Sequence, residues 1–149
     1  MSYFKNSCFY KLLIKNAFNF KDRASRSDFG WVLLHNIGIF LLISTALLIF
    51  PFTLILLPLY IFLYLVYIGV MIRRLHDNNH SGWLLLLNFI PIISIIFVLH
   101  LFFSSGDEGD NHFGSPSDIR KANKLDWGIL LISIALFFCI LPLSKIILT

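Results

Sequence analysis

The sequence predicts an all-α polytopic integral membrane protein. Four transmembrane helices follow a short N-terminal interfacial helix, in a single membrane domain covering residues 1–149. Three observations lead there. Residues 29–72 are 44 consecutive positions without a charged side chain. Apolar residues are 58% of the chain and charged ones 13%, about half the usual soluble share. Two more apolar runs follow, at 82–103 and 127–148. A soluble domain of this length could not bury so much apolar surface. Without water to satisfy bare backbone, the spans must be helices. The period-two alternation of barrel strands is absent.

Residues 1–28 are the basic leader of the domain. They carry Lys5, Lys11, Lys15, Lys21, Arg23 and Arg26, and their apolar runs are too short for a cleavable signal. Ser7, Lys11, Lys15 and Asn19 recur at helical spacing, which predicts a short helix lying on the membrane surface. Ser27 or Asp28 can cap the next helix by accepting orphan main-chain N–H groups.

The run 29–72 would be about 66 Å long as one helix, against a hydrocarbon core of about 30 Å. It must cross twice, as spans 29–50 and 51–72, with the turn in Phe50-Pro51-Phe52-Thr53. The third span is 82–103. Pro91 lacks a donor and breaks or kinks a helix there. A kinked full span is the reading adopted, and a re-entrant hairpin is its alternative. The fourth span is 127–148, with Lys145 near enough to its end to reach the interface.

Lys and Arg set the orientation. With four full spans, nine basic residues are cytoplasmic and three outside, so both termini are inside. With a re-entrant third segment, the loop 104–126 returns to the cytoplasm. Eleven basic residues are then inside and only Lys145 is outside. Cys8 and Cys139 are expected to form no disulfide, since one is cytoplasmic and the other lies within a span.

The polar residues concentrate in two stretches on one predicted side, at 20–29 and 73–83. Arg23, Arg26, Arg73 and Arg74 face Asp22, Asp28 and Asp77 in sign. A network such as Asp28 with Arg73 or Arg74, and Asp77 with Arg23 or Arg26, would lock the bundle at one face. The expected cluster is Arg23, Arg26, Asp28, Arg73, Arg74, His76, Asp77 and Ser81, with Ser81 capping the third helix. Trp83 suits the interfacial belt.

His76 and His80 have the spacing of a metal pair, but Asn78-Asn79 should interrupt the helix that spacing needs, and no third ligand is near. His76 is instead expected to support the turn, where an imidazole meets the last carbonyls of a helix. No metal and no cofactor are expected. The acids of 104–116 lack the EF-hand spacing. Inside the spans, Tyr60, Tyr64 and Tyr67 share a face, and His35, Asn36, Asn88 and His100 are the polar positions.

At these segments the chain resembles the domain of unknown function 805 family of bacterial inner-membrane proteins. Residues 20–30 are similar to its F-x-G-R-x-S-R-x-E-[FY]-W pattern. Residues 73–83 are similar to R-R-L-H-D-x-x-x-S-G-W, Ile90-Pro91 to its I-P, and 106–114 to G-x-x-G-x-N-[RH]-[FY]-G. The resemblance covers 20–116. Asp22 stands where the family has Gly, Gly30 where it has Trp, Asp28 where it often has Glu, and His80 where it has another polar residue. The resemblance implies a multi-pass protein of the bacterial inner (plasma) membrane and supplies no reaction.

The leading functional expectation is a non-enzymatic, membrane-embedded interaction or accessory protein with a cytoplasmic N-terminus. A small transport or channel component is the alternative. A lipid-headgroup enzyme using His76 and Asp77 as acid and base is the third reading. The expected partners are the bilayer, through anionic headgroups at the cytoplasmic face, and a second copy or another membrane protein. No nucleic-acid partner is expected.

Overall fold

The computed structural model describes residues 16–49, 51–116, 128, 131, 132 and 134–138. The predicted N-terminal interfacial helix falls mainly on residues outside that set. So does most of the predicted fourth span, 127–148, of which the described positions are helical. Within the described residues the elements are α1 (Arg26–Ile49), a 3-10 helix (Pro51–Leu56), α2 (Leu57–Asp77), a second 3-10 helix (Gly82–Phe89) and α3 (Pro91–Phe103). Among the described residues there is no strand, only an isolated bridge between Asn111 and Gly114.

Helix α1 begins with a reciprocal cap. The Ser25 hydroxyl accepts the Asp28 N–H at 3.2 Å, and Asp28 Oδ2 accepts the Ser25 N–H at 3.3 Å and its hydroxyl at 3.0 Å. This is a Ser-x-x-Asp version of the capping box. The cap therefore lies at Ser25, not at Ser27 or Asp28. The sequence expectation missed it because the helix starts three residues earlier than the apolar run.

The turn between the first two helices falls where Pro51 removes a donor, and Pro58 sits in the first turn of α2, where no donor is needed. The two helices run antiparallel. Phe29 stacks on Tyr67 at 6.3 Å between ring centroids, and Phe40 meets Tyr60 at 6.0 Å. Tyr60, Tyr64 and Tyr67 line one face, as their spacing predicts, with centroids 6.3 and 6.0 Å apart. Among the described residues, two helices, Arg26–Leu47 and Phe52–Asp77, are long and apolar enough to cross a membrane.

Helix α2 continues five residues past the end of the predicted span 51–72 and carries Arg73, Arg74, His76 and Asp77 in its last turn and a half. The loop expected from residue 73 is thus only 78–81. Leu75 and Met71 are buried on the same helix face, so packing carries the helix through the charged motif.

The segment 82–103 departs most from expectation. A single helix of that length would extend about 33 Å. Instead it is a 3-10 limb and an α limb separated at Ile90, whose φ and ψ are −98° and 112°. The two ends of the segment come back together. His80, before the first limb, meets His100, near the end of the second, at 6.4 Å between ring centroids. Gly82 lies against Ile72 and His76, while Leu101 receives a hydrogen bond from Arg74. The residue before Pro91 is pushed out of the helical region, and the chain doubles back there.

The core sits at one end of this assembly. Ala24, Phe29 and Val32 meet Tyr67, Val70, Met71 and Leu75 of α2 and Phe97 and Leu101 of α3. Leu84, Leu85 and Leu87 of the 3-10 limb pack against its edge. Toward the other end, Leu54, Ile55, Leu59, Phe62 and Leu65 are exposed on the start of α2 and the preceding turn. Exposure of that kind suits a lipid environment and not water.

Candidate functional site

Beside the core, the end of α2 meets the segment before α1 and the loop after α3. Arg23, Asp28, Arg73, Arg74, His76 and Asp77 are all buried here, and Arg74 is 0% exposed. Charged groups withdrawn this far must be paired and hydrogen-bonded, because each buried ion alone would lose several kcal/mol of hydration.

Asp77 is the shared acceptor. Arg23 Nε donates to Oδ1 at 3.0 Å, and Arg74 donates through a terminal nitrogen to Oδ2. The remaining guanidinium donors turn to main-chain oxygens. Arg23 donates to Gly109 at 2.7 Å, Gly114 at 3.1 Å, Asp77 at 3.5 Å and Asp107. Arg74 donates to Leu101 at 2.9 Å, Ala24 at 3.4 Å and Ser104, whose hydroxyl it also reaches at 3.3 Å. A guanidinium has five N–H donors. Each of these two makes five contacts, so neither keeps a donor in reserve.

These bonds join four pieces of chain. Arg74 ties α2 to the end of α3 and to Ala24 in the segment before α1. Arg23 ties the segment before α1 to α2 and the loop. Arg73 adds a main-chain link, since its carbonyl accepts the Ala24 N–H at 3.0 Å, and its Nε donates to Gly69 at 3.4 Å. Asp28 belongs to the α1 cap. Arg26 is exposed at the first position of α1, apart from this core of bonds. Ser81 is exposed too, and its hydroxyl accepts the Trp83 N–H at 3.4 Å at the start of the 3-10 limb.

The loop after α3 seals the end of α2. Four carbonyls at a helix C-terminus lack intrahelical partners. Here Leu75 accepts from His80 at 2.9 Å and His76 accepts from Asn79 at 3.0 Å, with Asn79 at φ 56°. That is a Schellman closure with asparagine in the left-handed position. His76 also accepts from the Asn111 side chain at 2.9 Å, and Asp77 accepts from the Asp107 N–H at 2.8 Å. Asn78 donates to the Ser104 hydroxyl at 2.7 Å.

The His76 ring stacks on Phe113 at 3.8 Å with an interplanar angle of 5°. Its Nδ1 is buried without a hydrogen-bond partner. Burial holds its pKa below the ordinary histidine value, with hydrogen bonds from the ring to the main chain of Lys21 and Asp22 opposing the shift. His80 is exposed and turned toward His100, so the two histidines of the i, i+4 pair face different neighbours. Sequence reasoning did not join Gly106, Ser104, Asn111 and Phe113 to the cluster. The loop's glycines and the match of 106–114 to the family pattern mark an ordered loop, and they do not say which helix it will cover.

A groove of about 470 Å³ opens beside this cluster. Its walls are Ile72, Gly82, Leu85 and Leu86, with Phe20, Trp83 and Phe113 at its margins and the His76 ring in one wall.

An apolar helical hairpin whose end is tied by buried arginines, with a doubled-back segment packed beside it, defines a class of membrane protein and no reaction. The chain belongs to the family described as protein of unknown function DUF805, whose model matches residues 17–115. It is similar to Inner membrane protein YhaI of Escherichia coli (strain K12), at 32% identity over 111 residues, covering 71% of this chain and 92% of that protein. It is also similar to Inner membrane protein YhaH of the same strain, at 30% identity over 122 residues, covering 70% and 92%. No solved structure matches the chain. The matched region contains every residue of the arginine cluster and its covering loop.

Proposed function

We propose that this protein is a non-enzymatic, membrane-embedded accessory protein of the bacterial inner membrane, built around a structural charge lock. One observation carries the reading. The two most buried guanidiniums that touch Asp77 have all their donors engaged by this chain's own oxygens. A binding or catalytic arginine needs donors free for its ligand. Both carboxylate oxygens of Asp77 are likewise occupied by these two guanidiniums.

The accompanying topology is a cytoplasmic N-terminus, crossing helices at 29–50 and 51–72, a re-entrant 82–103 and a crossing 127–148. The meeting of His80 with His100 supports it, because both ends of the segment then lie on one side. The charge rule supports it too, with eleven of the twelve basic residues inside.

Arginine modification tests the lock. Phenylglyoxal should label the exposed Arg26 in the folded protein in detergent, while Arg23 and Arg74 should react only after unfolding. Rapid labelling of Arg23 or Arg74 in the folded state would show an open site and defeat the reading. The groove beside His76 favours a second reading, a lipid-headgroup enzyme. Phospholipid turnover by purified protein in vesicles, lost in a folded His76→Phe variant, would establish that one instead.

A further inference from the structure

We propose that residues 104–116 form an acid-released lid: a proton taken up by the buried His76 ring frees this loop from the end of α2. The proposal takes the charge lock as the closed state and adds what opens it.

His76 is where the loop, α2 and the segment before α1 meet. Its ring lies flat on Phe113 of the loop, 3.8 Å between centroids. Its carbonyl accepts from the Asn111 side chain of the same loop at 2.9 Å. Hydrogen bonds from the ring reach the main chain of Lys21 and Asp22. The residue is 8% exposed, and the 3-10 limb closes on it so tightly that a Cβ at Gly82 would stand 3.6 Å from Nε2. The one proton of a neutral imidazole serves the main-chain bonds. A second proton would fall on Nδ1, which is buried and has no acceptor among the described residues. A donor placed there loses its hydration without compensation.

The surrounding charges do not offset that loss. The segment before α1 brings the buried Arg23, with Lys21 and Asp22 exposed beside it. Helix α2 brings Arg73, Arg74 and Asp77, and both oxygens of Asp77 are already taken. The acids of the loop and its His112 are exposed, as is His80 in the turn, and the 3-10 limb carries no titratable side chain. The Phe113 face and the main-chain bonds favour an imidazolium, but burial outweighs them and the covered ring resists the proton.

A ring that resists a proton when covered and accepts it when uncovered couples the lid to pH. An uncovered imidazole titrates near the ordinary value of about 6.5. Opening is therefore favoured as pH falls below about 6.5 and is indifferent to pH above it. One proton raises the opening constant by about tenfold at most per pH unit. Release of the loop frees the Arg23 donors now engaged by the carbonyls of Asp107, Gly109 and Gly114.

The test is amide hydrogen exchange of the full chain in nanodiscs between pH 5 and 7.5, each rate divided by that of an unstructured peptide at the same pH. Protection of the loop amides should fall several-fold between pH 6.5 and 5.5, while amides of α1 beyond Val32 keep theirs. His76→Phe keeps a ring on Phe113 and should make loop protection independent of pH. His80→Gln and His112→Gln should leave the slope in place. If His76→Phe does not fold, Phe113→Leu decides. It uncovers the ring, so it should speed loop exchange at pH 7.5 and make the slope shallower. Loop protection level across the range would overturn the proposal, as would a fall shared equally by α1 or a slope that survives in His76→Phe or Phe113→Leu. Phenylglyoxal labelling at neutral pH tests the lock alone, so the two failures are distinguishable.

Discussion

Gly106 lies against the carboxylate of Asp77, so close that a Cβ built on Gly106 would overlap Oδ2. The loop after α3 can reach α2 only because this position carries no side chain. The carboxylate cannot move aside, since Arg23 and Arg74 grip both of its oxygens.

Gly106→Ala should therefore destabilise the protein by about 1–3 kcal/mol, the usual range for overpacking. Thermal unfolding in detergent, followed by tryptophan fluorescence, checks it. In the Asp77→Ala background the same change should cost much less, because its obstacle is gone. Equal effects in both backgrounds would show that Asp77 is not the obstacle.

Asp77→Asn keeps the shape and removes the charge shared by two buried guanidiniums. Breaking one side of a buried pair typically costs about 3–5 kcal/mol. We expect a loss of that order, measured by denaturant titration in mixed micelles. Arg74→Lys should also lose stability, because one ammonium cannot reach Leu101, Ala24, Asp77 and Ser104 together. A variant as stable as the parent would remove the lock from the account.

Ser115 reports topology. It follows the Asn111 to Gly114 bridge in the loop held by Arg23. A cysteine at Ser115 should react with a membrane-impermeant maleimide only in inverted vesicles, as should one at Ser7. Labelling of Ser115 from the periplasmic side would restore a full third crossing.

Acid should weaken the end of the molecule that holds the arginine cluster. The His76 pKa is lowered by burial, so below about pH 6.5 the unfolded chain binds a proton that the folded one resists. Stability then rises with pH up to about 6.5 through this group and is level above it. Unfolding temperatures between pH 5 and 7.5 should show the slope, and His76→Phe should flatten it. An unchanged slope in that variant would assign the effect to another group.

Composition and the uncharged run 29–72 were enough to place the chain in a membrane, because an apolar helix has few other environments open to it. The turn at Pro51 and the shared face of Tyr60, Tyr64 and Tyr67 were legible for the same reason: both follow from one helix and its period. The pairing of Arg23 with Asp77 was one of several charge pairings open across 54 residues. Nothing local distinguishes Arg23 from Arg26, which stays outside. The doubled-back 82–103 was decided by tertiary structure. Pro91 announces a break, but only contacts with α1 and α2 choose between a kink and a return. The same holds for the loop glycines. Spacing marks Gly106 as a turn residue, and only the folded end of α2 makes its missing side chain necessary.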